Sequence, residues 1–142
     1  MDAYKVLLGE ILIQRNRLTR EQLDAALDVQ KQKGGFIGEI LVGSGILDER
    51  DIVVALVIQC GLPYIAVNKY TIDPQTLHLI PHEVAQKEKV IALDRIGDIL
   101  SVVMVSPLSE EKKNYLEMLT KCRVATFIST KSEIEEAIAR NY

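Results

Sequence analysis

Two glutamines and two glycines are the residues whose types and spacing in this chain could do chemistry. Gly9 returns as Gly38 and Gln30 as Gln59, an offset of 29 residues in both cases. A carboxamide offers an acceptor oxygen and two N–H donors, so a repeated Gln can grip a ligand from two sides. A Gly inside an apolar helix costs about 0.5–1 kcal/mol relative to Ala. Its retention in both places implies close approach, either of a second helix or of a ligand. Other constellations are weaker. His78 and His82 lie four apart, a spacing that can hold a metal, but Pro81 between them favours a break and Glu83 is the only close carboxylate. They read as surface histidines around a turn. Gly38 and Gly43 have the spacing of a phosphate loop, yet Ser44 follows in place of Lys, and there is no GxGxxG. No nucleophile sits in a recognisable elbow. Glu133, Glu135 and Glu136 read as a solvated face near a helix start. The chain reads as non-catalytic, without catalytic residues or metal ligands.

The elements that must position these residues are themselves duplicated. Leu7-Leu8-Gly9-Glu10-Ile11-Leu12-Ile13 returns as Phe36-Ile37-Gly38-Glu39-Ile40-Leu41-Val42, and Leu18, Ala26 and Leu27 return as Leu47, Ala55 and Leu56. Amphipathicity repeats apolar positions, but it does not select Gly, Glu and Gln at one phase; a duplicated unit does. In the first unit a helix over about 4–14 closes at Asn16, a residue that tolerates the left-handed conformation. Thr19 and Gln22 form a capping-box pattern. The helix it starts places Leu23, Ala26, Leu27 and Gln30 on one face. In the second unit a short helix from Ile37 to Val42 ends at Gly43-Ser44-Gly45, Asp48 caps the next helix, and Ile52, Ala55, Leu56 and Gln59 form its face. Gly45 stands where Asn16 stood.

Beyond Gly61-Leu62-Pro63 the texture changes. Residues 64–70 read as an extended connector with a β-like stretch. Pro74 and His82 open short helices. Strands over 89–94 and 99–105 flank a turn at Gly97-Asp98. Ser109 starts a helix to about Leu119, a strand follows over 123–129, and Thr130 with Glu133 caps a last helix to about Arg140. The expected fold class is α+β: an N-terminal helical lobe of two tandem helical hairpins over 1–62, then a smaller β-β-α-β-α lobe over 63–142.

Composition removes several functions. The net charge of −3 argues against a nucleic-acid binder, of DNA or RNA, and scarce aromatics (no Trp, two Phe, five Tyr) argue against a single-strand stacking platform. Cys60 and Cys122 form no CxxC and read as reduced, buried thiols. No apolar run reaches the roughly 18 residues of a membrane span, and the first residues lack a signal-peptide core. The expected location is the cytoplasm, without direct membrane insertion, at most peripheral to the inner membrane through a partner.

The pattern Leu8-Gly9-x-x-Leu12-Ile13-x-x-Asn16-x-Leu18, then Leu23-x-x-Ala26-Leu27-x-x-Gln30, resembles the MshEN motif. So does Ile37-Gly38-x-x-Leu41-Val42-x-x-Gly45-x-Leu47, then Ile52-x-x-Ala55-Leu56-x-x-Gln59. The two 24-residue stretches, 7–30 and 36–59, are joined by the five residues Lys31 to Gly35. Gly61-Leu62-Pro63-Tyr64, Ile72-Asp73-Pro74, Leu79-Ile80-Pro81 and Val103-Met104-Val105-Ser106-Pro107 extend the likeness along the chain. That family stands at the N-terminus of type II secretion and type IV pilus assembly ATPases. The resemblance implies a regulatory domain that binds cyclic di-GMP and docks to a protein of the secretion or pilus machine, with no resident cofactor. The site residues it implies are Leu8, Gly9, Leu12, Ile13, Leu23, Leu27 and Gln30, with Ile37, Gly38, Leu41, Val42, Ile52, Leu56 and Gln59. Apolar side chains would pack on guanine and ribose, Gly would admit the backbone closely, and Gln would hydrogen-bond. The sequence departs from the family pattern at Leu7 and Phe36, where binding members usually carry Arg, at Ser106, where Asp is common, and at Asn16, where Asn replaces Gly but tolerates the same backbone. Losing two charge-assisted hydrogen bonds of about 1.5–3 kcal/mol each weakens affinity a hundredfold or more. Lys5 or Lys33 could supply a point charge in their place. The departures motivate the alternative, a protein–protein adaptor of the same fold with a degenerate nucleotide site.

Overall fold

The computed structural model describes the backbone of residues 3–142 and the side chains of residues 8–142. The side chains of Lys5 and Leu7 lie outside the described residues. The chain divides into two compact units, Met1–Gly61 and Leu62–Tyr142.

The first unit holds four helices: α1 (Ala3–Gln14), α2 (Arg20–Lys33), α3 (Ile37–Gly43) and α4 (Glu49–Cys60). Their boundaries follow from local chemistry. Thr19 accepts from the Gln22 N–H while the Gln22 side chain accepts from the Thr19 N–H, and Asp48 and Asp51 repeat this reciprocal cap on α4. Such caps satisfy orphan donors and contribute about 1 kcal/mol. Asn16 (φ 58°) and Gly45 (φ 77°) occupy the same left-handed position after α1 and α3, as the aligned repeats predict. Packing then exchanges the copies: α1 lies along α4, and α2 along α3. Swapping the two repeats maps one contact onto the other, so the lobe has a pseudo-two-fold arrangement. Leu8, Leu12, Leu18, Leu23 and Ala26 of the first copy and Ile37, Leu41, Leu47, Ile52, Ala55 and Leu56 of the second are buried in this unit.

The second unit is α+β. A 3₁₀ turn (Val67–Lys69) and two short helices, α5 (Pro74–Leu77) and α6 (His82–Glu88), precede β1 (Val90–Ile96) and β2 (Ile99–Met104). Then come α7 (Glu110–Thr120), β3 (Arg123–Ile128) and α8 (Lys131–Asn141). The sheet order is β1-β2-β3, with β1 antiparallel to β2 and β2 parallel to β3. A parallel neighbour needs a crossover, and α7 supplies it. Gly97 takes φ 61° in the β1–β2 turn. Val90, Ile91, Leu100, Val102, Val103, Leu116 and Ile134 are among the side chains that fill the core. This unit is the longer of the two, not the smaller, because the turn and two short helices add to the β-β-α-β-α frame. The connector after Gly61 is extended only at its start: Ile128 donates to the Pro63 carbonyl and Ile65 to the Ile128 carbonyl, both at 2.9 Å, before the chain enters the 3₁₀ turn.

Candidate functional site

The glycines of the two repeats sit at helix crossings. A Cβ placed on Gly9 would fall 2.5 Å from Leu23 Cδ2, and one on Gly38 would fall 3.3 Å from Ile52 Cγ2. Leu23 and Ile52 are equivalent residues of the two copies, so each Gly admits the corresponding side chain from the second helix of its own repeat. The approach that the repeated glycines imply is therefore made, in this fold, by a helix.

The other sequence-derived residues fall into two groups. Leu8, Gly9, Leu12, Leu23, Ile37, Leu41, Ile52 and Leu56 are buried. Ile13, Leu27, Gln30, Gly38, Val42 and Gln59 are half-buried. The second group has surface to offer.

Gln30 is held at both ends. Its carbonyl accepts from the Gly34 N–H at 2.7 Å, closing α2, and its side-chain Nε2 donates to the Gly35 carbonyl at 2.9 Å. Gly34 (φ 73°) and Gly35 (φ 95°) are in a backbone region that L side chains rarely adopt. Phe36 is the N-cap of α3 and provides no side-chain cap.

Two ion pairs of this unit lie near the α1–α2 connection. Arg20 Nη2 donates to Glu10 Oε1 at 2.7 Å, and Arg17 Nε lies 3.4 Å from Asp51 Oδ1, linking the first copy to α4. The Glu10 hydrogen bond and charge raise the Arg20 pKa. Both arginines are exposed, where such pairs contribute little.

The second unit holds features that spacing arguments missed. His82 stacks on Tyr142 with ring centroids 4.7 Å apart and planes at 10°, and His78 meets the same ring edge-on at 5.7 Å. Tyr142 Oη donates toward the carbonyls of Ile80 at 2.6 Å and Leu77 at 3.2 Å. Burial pushes its pKa up to about 12. The two histidines thus flank an aromatic ring rather than a bare turn. An open pocket of about 370 Å³ is lined by residues including His82, Gln86, Lys89, Glu135 and Tyr142. The acidic residues of α8 are engaged rather than simply solvated: Tyr64 donates to Glu133, Asn68 to Glu136 and Lys89 to Glu135. Their partners lie 46 to 69 residues away in sequence, which local reading does not reach. Cys122 is buried and Cys60 half-buried, with burial raising the Cys60 pKa. Among the described residues no cluster of three or more His, Cys, Asp or Glu could hold a metal, and no helix is long and apolar enough to cross a membrane.

The MshEN domain profile matches residues 60–142, more than half of the chain. The chain belongs to the MshEN domain family. The profile match covers the α+β unit and its approach, whereas the duplicated motif precedes it. Relatives span both parts of this MshEN chain. The type IV pilus assembly ATPase PilB of Myxococcus xanthus is 33% identical over 135 residues, 95% of this chain and 24% of PilB. PilB of Thermus thermophilus is 33% identical over 137 residues, 95% of this chain and 15% of its own length. The chain therefore spans a quarter or less of these curated relatives. Among solved structures, MshE with cdg is 25% identical at a TM-score of 0.75, covering 95% of this chain and 98% of that one. The N-terminal domain of XpsE, at 16% identity and a TM-score of 0.82, covers 100% of this chain and 98% of that one, and it shares the fold.

Proposed function

We propose that this MshEN domain is a non-catalytic regulatory domain that binds cyclic di-GMP across its two tandem motifs and docks to a protein of a pilus or secretion machine. The observation that carries this reading is the pseudo-two-fold helical unit, with α1 on α4 and α2 on α3. A ligand made of two like halves suits a surface made of two like copies. MshE, solved with cdg, supports the ligand class. In this reading Ile13, Leu27, Gln30, Gly38, Val42 and Gln59 provide the contact surface. Leu8, Gly9, Leu12, Leu23, Ile37, Leu41, Ile52 and Leu56 set its shape. Regulation consists of bridging the two copies, which stiffens the helical unit and alters docking.

The second reading is an adaptor of the same fold that binds protein alone. Apolar Leu7 and Phe36 favour it, since neither offers a bidentate cation to a guanine edge or phosphate. Titration calorimetry with cyclic di-GMP, and GTP as control, separates the two. Saturable one-to-one binding at micromolar affinity or tighter, abolished in Gln30→Ala/Gln59→Ala with the fold intact, supports the sensor. No heat from folded protein at high micromolar ligand leaves the adaptor.

A further inference from the structure

Gln30 contributes to the proposed site only through its side-chain amide, and the repeat-joining linker governs which atoms of that amide are presented. The Gly35 carbonyl can only accept, so the group facing it at 2.9 Å must be the Gln30 N–H₂. That contact fixes the amide flip, which is otherwise free. It leaves Oε1 and one remaining N–H for another partner. The Gly34 N–H, 2.7 Å from the Gln30 carbonyl, ties the main chain of the same residue to the same turn. The turn exists because residues 34 and 35 both take positive φ.

We propose that Gly35 is a positioning residue for ligand recognition: its carbonyl orients the Gln30 amide so that Oε1 is offered as an acceptor to an N–H or O–H donor of the bound nucleotide. This rests on the nucleotide-binding reading above. A side chain held in its binding rotamer before the ligand arrives loses less freedom on binding. Gly35 itself touches no ligand in this scheme. A Cβ at residue 35 meets nothing within 4 Å, so substitution acts through the backbone conformation and not through a clash.

The test is a double-mutant cycle on the dissociation constant for cyclic di-GMP, using the whole chain. Gly35→Ala, at a φ of 95° that an L residue resists, should weaken binding about fivefold, the scale of one net hydrogen bond. In a Gln30→Ala background the same substitution should change affinity less than about twofold. Insertion of one glycine after Gly35 frees the carbonyl without straining the backbone. It should reproduce the loss and serves if Gly35→Ala fails to fold. Equal costs in the parent and Gln30→Ala backgrounds, or no cost from either linker variant, overturn the positioning role while leaving nucleotide binding in place. A parent protein that does not bind cyclic di-GMP overturns both.

Discussion

Replacing Gly9 by Ala should destabilise the protein, while the same change at Gly38 should not. At Gly9 the new Cβ would lie 2.5 Å from Leu23 Cδ2, 3.0 Å from Cδ1 and 3.3 Å from Cγ. Leu23 is only 4% exposed, so its side chain has little room to retreat. Overpacking of this kind costs about 1–3 kcal/mol. The gain in helix propensity returns about 0.5–1 kcal/mol. The net expectation for Gly9→Ala is therefore a loss of up to about 2.5 kcal/mol. At Gly38 the nearest atom is Ile52 Cγ2 at 3.3 Å, with the next at 3.6 Å, so a shift of a few tenths of an ångström suffices. There the propensity gain offsets the strain, and the change should fall within about 0.5 kcal/mol of neutral. Urea unfolding measures both, read as a midpoint shift at unchanged m. Leu23→Val removes both δ carbons and should relieve most of the Gly9→Ala penalty. A Gly9→Ala midpoint at or above that of the parent would refute the reasoning. So would a penalty undiminished in the Leu23→Val background.

Three other outcomes follow from local chemistry. Tyr142 should ionise late, because burial raises it to about 12 against about 10 in the unfolded chain. Its folded pKa is raised, so its contribution to stability is complete below about pH 10 and is lost as pH climbs toward 12; ultraviolet titration of the phenols should show a late phase that Tyr142→Phe removes. Lys121→Gly should stabilise by about 0.5–1 kcal/mol, since Lys121 holds φ 59° at the α7 C-cap; a lower melting temperature would contradict this. Thr130→Ala should cost about 1 kcal/mol by removing the reciprocal cap with Glu133 on α8, visible as a lower urea midpoint.

Much of the local structure was legible in the sequence because it depends on neighbours a few residues apart. Thr19, Asp48, Ser109 and Thr130 cap the helices that their residue types announce. Pro74 and His82 open the two short helices, and Gly97 turns the hairpin. The connector after Gly61 was harder. Its β-like residues pair with β3 only at Pro63–Ile65, and Val67–Lys69 instead turns so that Val67 packs into the core with its N–H on Ser129 Oγ. For the candidate site, the duplication marked the repeated residues, but periodicity alone did not divide buried Leu56 from half-buried Leu27, its equivalent in the first copy.

The sequence by itself determined the repeat, its phase, the left-handed positions at Asn16 and Gly45 and the order of helices and strands. These properties are written in residue types and short spacings. Only the tertiary structure decided that α1 meets α4 and α2 meets α3, that the repeated glycines admit Leu23 and Ile52, and that β3 joins β2 in parallel. It alone placed the Gln30 amide on the Gly35 carbonyl. Each of these depends on which apolar face is covered by which distant partner, and hydrophobic burial is non-directional. A helix face records that it must be buried, while its partner is selected by the shape of the assembled core.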